Sequence, residues 1–276
     1  MPGIAAPAEL VKALRDLHVP GRPLLIPNPW DAGSARVLAT LGFRALATTS
    51  SGFAATLGRP DGTVTREQAL RHAADIVSAT DLPVSADLEN GFADEPAAVA
   101  QLVRDAIGTG LAGCSIEDAT GRPDDPIYEP RLAAERVAAA AAAAHDGPHR
   151  LVLTARAENY LHGRDDLDDT IARLLSFQEA GADVLYAPGL TRAEDIRAVV
   201  AAVDRPVNVL AMPGGPTVAQ LADLDVSRVS VGGSFAFAAL GALVAAAREL
   251  RDEGTYGYAE QAAQGREVTR TAFTAG

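Results

Sequence analysis

Short apolar runs alternate along the chain with stretches in which apolar residues recur at helical spacing. The runs predict eight β-strands, at 24–27, 45–50, 83–87, 112–117, 151–156, 184–187, 207–211 and 228–232. A helical stretch follows each strand, at 31–41, 65–79, 96–107, 131–144, 167–180, 193–203, 217–224 and 235–251. The chain is therefore predicted to consist of repeated strand–helix units.

Eight such units without a break in composition predict a (β/α)₈ barrel of the TIM type, an α/β fold, in a single domain covering 1–276. The barrel takes up about 20–252, and a helical extension at 255–274 is expected to pack on its own chain or on another subunit. A doubly wound open sheet is the alternative. It needs a glycine-rich phosphate loop after its first strand, where this chain has Pro27-Asn28-Pro29-Trp30-Asp31.

The charge and cysteine content disfavour several classes of protein. The chain has 276 residues, 48% of them hydrophobic, and a formal net charge of −12. This surplus of negative charge argues against nucleic acid and anionic membrane as partners, because both need a cationic face. The single cysteine, Cys114, excludes an internal disulfide and a cysteine-built metal site. No signal peptide and no apolar stretch of spanning length is evident, so we expect a soluble cytoplasmic protein.

Lysine is almost absent from the chain. Lys12 is the only one, and it lies in an amphipathic stretch near the start. Schiff-base aldolases and pyridoxal phosphate enzymes need a lysine amine in the active site. Both classes are therefore disfavoured.

Carboxylate side chains follow the third and fourth predicted strands. Asp87 and Glu89 stand at the end of the third strand, and Glu117 stands at the end of the fourth. Side chains at i and i+2 of a strand share a face, and neighbouring parallel strands end at one rim, so these carboxylates should converge. Converging carboxylates repel one another unless a cation lies among them, and oxygen ligands suit Mg²⁺ or Mn²⁺. The sequence therefore predicts a metal site and a candidate active site.

Other polar groups stand at strand ends, where the catalytic residues of a barrel are found. Arg156 ends the fifth strand, and a Thr-Thr-Ser-Ser-Gly run ends the second. An arginine at this rim can neutralise a carboxylate through two parallel hydrogen bonds. Glycine-rich turns at 212–215 and 232–234 follow strands seven and eight, and they suit either a phosphate site or a tight turn.

Five segments, taken together, carry a family pattern. They are 28–31 (NPWD), 51–52 with 57–62 (SG and LGRPDG), 86–91 (ADLENG), 113–118 (GCSIED) and 155–158 (ARAE). In this order they resemble the isocitrate lyase/phosphoenolpyruvate mutase superfamily. The match is specific as a set and runs from the first predicted strand to the fifth.

The resemblance implies Mg²⁺, an oxo-acid or hydroxy-acid substrate and an enolate intermediate. It places Asp87 nearest the metal, with Glu89 and Glu117 binding through water. The residues it brings to the substrate or to catalysis are Asp61, Glu117, Arg156 for the substrate carboxylate, and the backbone amides around Ser51, Gly52 and Phe53. It also implies a homo-oligomer, a dimer or a tetramer, with the C-terminal helix exchanged between subunits.

Some of these residues also have a purely structural interpretation. Arg156 can be an ion-pair partner of Glu158 or Glu117, and Asp61 can be an ordinary turn residue between Pro60 and Gly62. Cys114 lies within an apolar strand and is expected to be a core residue and not a nucleophile.

The segment 118–130 is long for a connection between a strand and a helix. Its glycine and proline fit a lid that closes over the substrate, and an exposed loop is the alternative. As a lid, it would bring Arg122, Asp124 and Tyr128 to the substrate, and we select Arg122 as a substrate-binding residue.

The same segment departs from both well-known branches of the superfamily. The lyases carry a Lys-x-Cys-Gly-His motif there, in which the cysteine acts as acid and base, and the mutases and phosphonopyruvate hydrolases carry Lys-Thr-Asn-Ser. This chain has neither, and Tyr186-Ala187-Pro188 replaces the histidine of the mutases on strand six.

Three functions fit the sequence. The leading hypothesis is a Mg²⁺-dependent lyase that cleaves a C–C bond of a small 2-oxo or 2-hydroxy di-acid, of the oxaloacetate or substituted-malate type, through an enolate. The second is P–C bond chemistry, as in phosphonopyruvate hydrolase or phosphoenolpyruvate mutase. The third is a metabolite-binding barrel without catalysis.

Overall fold

The structure is a computed structural model that describes residues 6–274, and these residues form eight strands and eleven α-helices. The strands are β1 (Leu24–Ile26), β2 (Leu46–Ala47), β3 (Val84–Asp87), β4 (Gly113–Glu117), β5 (Val152–Arg156), β6 (Val184–Tyr186), β7 (Val207–Leu210) and β8 (Arg228–Ser230). The helices are α1 (Pro7–Asp16), α2 (Ala32–Thr40), α3 (Ser50–Thr56), α4 (Arg66–Ser78), α5 (Pro96–Ile107), α6 (Pro130–Asp146), α7 (Leu167–Glu179), α8 (Ala193–Ala202), α9 (Val218–Asp223), α10 (Ser234–Arg248) and α11 (Ala259–Ala272).

All neighbouring strands of the sheet are parallel, in the order β1-β8-β7-β6-β5-β4-β3-β2. The Ala47 N–H donates to the Pro27 carbonyl at 3.0 Å and so joins the two outer strands. Closure removes the exposed edges that an open sheet would present. The predicted (β/α)₈ barrel is confirmed.

The predicted second strand, 45–50, is too long. The strand stops at Ala47, and α3 begins at Ser50. The Thr49 hydroxyl accepts a hydrogen bond from the Gly52 N–H at 3.3 Å and caps this helix, because a threonine oxygen satisfies an amide that the first turn leaves unpaired. A run of threonine and serine therefore starts a helix here and does not continue the strand.

Helix α1 closes the amino-terminal end of the barrel. Its Val11 and Leu14 are buried in one cluster with Leu24 and Val152, the first residues of β1 and β5. Burial of such side chains away from water stabilises the fold. Among residues 6–274, α1 therefore covers the end of the barrel opposite the carboxyl ends of the strands.

The C-terminal extension folds back onto its own chain. Helix α10 continues into one turn of π-helix (Glu249–Glu253), which ends at Gly254 with a φ of +66°. Helix α11 then packs on α2, and its Ala272 is buried. Helix α10 buries only Ala236 and leaves an apolar face exposed, including Phe237 and Leu243. Within residues 6–274, no helix combines the length and the apolar character needed to span a membrane.

Candidate active site

A cavity of about 190 Å³ opens at the carboxyl ends of the strands. A cavity of about 150 Å³ suffices for a molecule of the size of benzene, so this one has room for a small acid. Asp61, Asp87 and Arg156 line its upper wall, and Asn208 and Arg228 line its floor. Of the predicted metal ligands, Asp87 lines this cavity, whereas Glu89 and Glu117 are absent from its lining.

Arg156 is the centre of the upper wall. Its Nη1 lies 3.0 Å from Asp87 Oδ1 and 3.1 Å from Glu117 Oε2, and its Nε lies 2.8 Å from Glu158 Oε1. Burial alone would lower the pKa of Arg156, but the three carboxylates outweigh burial and hold that pKa well above its usual range. Of the two interpretations left open for Arg156, the structure contains the ion pairs, and substrate binding stays a prediction.

The carboxylates outnumber the cation that binds them. Three carboxylates surround one guanidinium, so the cluster would carry an excess of two negative charges if all three were ionised. Burial raises the pKa of Glu117 well above its usual range, although Arg156 opposes this rise. An enclosed cluster of this kind favours uptake of a proton or of a divalent cation.

Two further acids lie beside Asp87. Burial raises the pKa of Glu89 to about 8, and the charges of Asp87 and Asp61 add to the effect. Burial also raises the pKa of Asp61, while a hydrogen bond from the Ser50 side chain opposes the shift. Asp87 is held in place, since its Oδ2 accepts from the Ser50 N–H at 3.2 Å and its Oδ1 accepts from the Glu89 N–H at 3.3 Å.

The acids fit Mg²⁺ only if water completes its ligand set. Among residues 6–274, no three His, Cys, Asp or Glu side chains are close enough to hold one ion together. The reason is Arg156, whose guanidinium lies between Asp87 and Glu117. Mg²⁺ commonly binds through one or two carboxylates and several waters, and this arrangement suits a cluster with excess negative charge. Direct ligation by Asp87 and contacts through water from Glu89 and Glu117 stay a prediction.

The segment at the start of α3 forms the other side of the opening. Ser51 lines the cavity, and its N–H has no protein acceptor among the described residues. The Gly52 and Phe53 amides are already used within the helix cap, donating to the Thr49 hydroxyl and carbonyl. The Phe53 ring stacks on His72 at 4.0 Å, outside the cavity lining. Of the three predicted amide donors, only that of Ser51 is free to bind a substrate in this structure.

No residue of the segment 118–130 lines the cavity; Asp124 is exposed, and Arg122 and Tyr128 both bind Asp94. Arg122 Nη1 lies 3.1 Å from each carboxylate oxygen of Asp94, and the Tyr128 hydroxyl donates to Asp94 Oδ1 at 2.5 Å. Arg122 is half exposed and does not line the cavity. Its predicted contact with the substrate would require the Asp94 pair to break.

A family model of phosphoenolpyruvate phosphomutase matches residues 14–251. The chain belongs to the isocitrate lyase/phosphoenolpyruvate mutase superfamily. The predicted family is confirmed over nearly the whole barrel, beyond the five segments that first indicated it.

Curated relatives in the superfamily extend over most of the chain. An uncharacterised protein of Mycobacterium tuberculosis is 34% identical over 245 residues, which cover 87% of this chain and 89% of the relative. The 2-methylisocitrate lyase of Escherichia coli is 30% identical over 204 residues, covering 71% of this chain and 68% of that enzyme. Relatives with such names confirm that the chain is an enzyme of the lyase type.

Solved structures of the superfamily share its architecture. A protein of Burkholderia cenocepacia, named as a candidate lyase/mutase, superposes with a TM-score of 0.91 and 55% identity, over 96% of this chain and 95% of that one. Oxaloacetate acetylhydrolase in complex with its product oxalate superposes with a TM-score of 0.83 and 26% identity, over 92% of this chain and 90% of the hydrolase.

Arg136 was missed in the sequence, as were Asn208 and Arg228 of the cavity floor. Arg136 on α6 reaches the segment after β3, where its Nη1 donates to the Ala93 carbonyl and, at 2.7 Å, to the Asp94 carbonyl, while its Nη2 donates to the Asn90 carbonyl. Its guanidinium also lies 4.1 Å from the centre of the Tyr128 ring. A buried arginine inside an alanine-rich helix was the signal available in the sequence. Arg136 fixes the segment that follows Asp87 and Glu89.

We expect Arg136→Met to destabilise the protein by about 2–4 kcal/mol, since three backbone carbonyls lose their charged donor and a buried arginine loses its packing. The melting temperature should fall by roughly 4–15 °C. The control is Arg131→Met on the same helix, because the Arg131 side chain is 92% exposed. Equal melting temperatures for the two variants would show that Arg136 does not hold the segment.

Proposed function

We propose that the protein is a Mg²⁺-dependent lyase that cleaves the C2–C3 bond of a small 2-oxo or 2-hydroxy di-acid, of the oxaloacetate or substituted-malate type. The observation that carries this proposal is the cluster of three carboxylates, Asp87, Glu117 and Glu158, around the single cation Arg156, with Asp87 and Arg156 in the wall of a small cavity. Such a cluster supports the binding of a divalent cation next to an acid of matching size.

Each group has a distinct task in this proposal. Asp87 would hold Mg²⁺, with Glu89, Glu117 and Asp61 contributing through water. The bound ion would supply electrostatic stabilisation of the negative charge on the 2-oxygen of the substrate. The Ser51 N–H is positioned to donate to the same end of the substrate, since it faces the cavity without a protein acceptor.

The departing fragment needs a proton. A 2-hydroxy acid, or the hydrate that water forms at C2 of a 2-oxo acid, loses a proton from its 2-oxygen as the C2–C3 bond breaks. The bonding electron pair stays on C3 as an enolate, which takes up a proton before it leaves. The segment 118–130 contains no Cys, His or Lys, so we assign the donor to the cavity wall. Tyr186 lines that wall, and burial raises its pKa to about 12, so its hydroxyl keeps its proton at neutral pH.

Turnover of candidate substrates tests the reaction type. We expect oxaloacetate to give oxalate and acetate, or 2-methylmalate to give pyruvate and acetate, with Mg²⁺ and not after its removal by EDTA. Proton NMR detects acetate and pyruvate, carbon-13 NMR detects oxalate, which has no C–H proton, and an enzyme-free sample corrects for spontaneous decarboxylation. Turnover of phosphonopyruvate in place of the di-acids would favour P–C chemistry. Binding of oxalate without turnover of any acid would favour the non-catalytic barrel.

The apolar face of α10 supports a further part of the proposal. Phe237, Leu240 and Leu243 are each more than two-fifths exposed on this helix, and large exposed apolar patches commonly mark subunit contacts. We propose a homo-oligomer, a dimer or a tetramer, that buries this face. Light scattering of the purified protein gives its mass directly, and a monomer would contradict this part. The cytoplasmic location stays a prediction.

A further inference from the structure

The cavity has two cationic residues in its lining, and their surroundings are opposite. Arg156 at the upper wall contacts three carboxylates within 3.1 Å. Arg228 at the floor is only 5% exposed, and no carboxylate of the described residues faces its guanidinium. The floor therefore carries a buried positive charge without a counter-ion.

Neutral groups hold Arg228 in place. Its Nε donates to Asn208 Oδ1 at 2.9 Å, and its Nη1 donates to the Thr154 hydroxyl at 3.1 Å. His18 lies next to Nη1, and burial lowers the pKa of His18 to about 3, so this ring is neutral. Among residues 6–274, Nη2 has no acceptor, and it is not sealed from the cavity.

A buried guanidinium without a counter-ion is costly for the protein. Taking such a cation out of water carries a penalty that neutral hydrogen bonds offset only in part. Burial lowers the pKa of Arg228 to about 10, which is still far above neutral pH, so the group stays charged. A site of this kind gains most from an anion that enters the cavity.

The register of the sheet gives the depth of the floor. Arg156 pairs with Tyr186, Tyr186 pairs with Asn208, and Asn208 pairs with Arg228. A line through these four paired residues takes three steps between neighbouring strands, each about 4.8 Å wide. Because the strands tilt by about 36° from the barrel axis, the line descends roughly 8 Å along that axis. A four-carbon di-acid spans about 4 Å between its end carbons, and a hydrogen bond of about 2.8 Å at each end brings its reach to a similar length.

We propose that Arg228 binds the second carboxylate of the di-acid substrate at the floor of the cavity, with Asn208 and Ser230 beside it. This assignment rests on the proposed function, because it requires the first carboxylate to lie at the Asp87 end. Asn208 Nδ2 donates to the Ser230 hydroxyl at 3.0 Å, which orients the Asn208 oxygen toward Arg228. Because Arg228 has no counter-ion among the described residues of the protein, it should favour acids with a second carboxylate over acids with only one.

The test compares two probes that differ in length. Oxalate has two carbons and reaches only the upper wall, whereas 3,3-difluorooxaloacetate is a four-carbon 2-oxo di-acid. Calorimetric titrations with saturating Mg²⁺ give both dissociation constants. We expect Arg228→Gln to raise the constant for the four-carbon acid by about 10- to 100-fold and to change that for oxalate by less than about twofold. Arg197→Gln, an exposed arginine on α8, is the matched control.

A second variant covers the case in which Arg228→Gln does not fold. Asn208→Asp places a carboxylate beside the Arg228 guanidinium and gives it an internal counter-ion. We expect a melting temperature at least equal to that of the wild type, together with the same selective loss of the four-carbon acid.

The outcomes separate this inference from the proposed function. Wild-type protein that binds neither probe contradicts both. The wild type can instead bind oxalate while Arg228→Gln or Asn208→Asp changes the affinities for both probes equally. That result contradicts only the assignment of Arg228. In that result Arg228 supports the barrel interior and does not select the substrate.

Discussion

Arg156→Met is expected to destabilise the protein by about 3–5 kcal/mol, the largest effect on stability of any single substitution considered. The change leaves Asp87, Glu117 and Glu158 buried without their cation, and uncompensated buried charges of this kind cost that amount. In a chain of this size the melting temperature should fall by roughly 6–20 °C.

The loss of stability in Arg156→Met should depend on pH. Burial raises the pKa of Glu117 in the folded state well above its usual range, and removal of the Arg156 charge, which opposes this rise, raises it further. The folded protein then binds more protons than the unfolded protein, so the variant regains stability as pH falls toward the unfolded values near 4. We therefore expect a smaller difference from wild type at pH 5.5 than at pH 8.

Melting curves at the two pH values, compared with those of Arg156→Lys, measure this effect. Lysine keeps the positive charge but not the forked hydrogen bonds, so the melting temperature of Arg156→Lys should lie between those of the wild type and Arg156→Met. Equal losses for Arg156→Met at pH 5.5 and pH 8 would show that the carboxylates are not held together by this cation.

Asp87→Asn is expected to have the largest effect on catalysis, a fall in kcat/KM of at least about 100-fold. The amide keeps the shape of the side chain and can still accept from the Ser50 N–H, but it removes the charge nearest to the proposed ion. Stability without ligand should change little, because the weakened contact with Arg156 offsets the relief of repulsion on Glu89 and Asp61.

Steady-state rates on the best di-acid substrate, measured over a range of Mg²⁺ concentrations, check this expectation. Glu135→Gln is the control, since Glu135 is an exposed acid of α6 that contacts only Arg131. If Asp87→Asn has the kcat/KM and the Mg²⁺ dependence of the wild type, Asp87 does not bind the metal ion.

The order of strands and helices was readable from the sequence because each element is short and its apolar pattern is local. Each of the eight strands lies within its predicted range, and even β3 and β4, which carry the acids, end where predicted. The exception is α3, since a run of small polar residues fits a strand end and a helix cap equally well until the Thr49 hydroxyl is seen to bind the Gly52 amide.

The partners within the site were less predictable, because they depend on register and side-chain direction. Strand ends alone brought Asp87, Glu117 and Arg156 to one rim, but only the pairing of Glu117 with Arg156 across β4 and β5 places the guanidinium among the acids. Phe53 follows Ser51 closely in sequence, yet the helix turns its ring onto His72.

Residues at the floor and behind the site had weaker signals. Arg228 begins a strand and Asn208 lies inside one, and a polar residue within an apolar run points either inward or outward. Only closure of the barrel makes the inward direction a cavity. Arg136 is separated from the carbonyls it binds by more than 40 residues, so no local pattern connects them.

Thermal stabilisation of the protein by Mg²⁺ and oxalate, an enolate mimic, tests whether the carboxylates form a metal–enolate site. The two ligands are added singly and together. We predict a clear rise in the melting temperature of the wild type when both are present, little effect from either alone, and no rise in Asp87→Ala. The absence of a rise in the wild type, or an equal rise in Asp87→Ala, would contradict a metal–enolate site at these carboxylates.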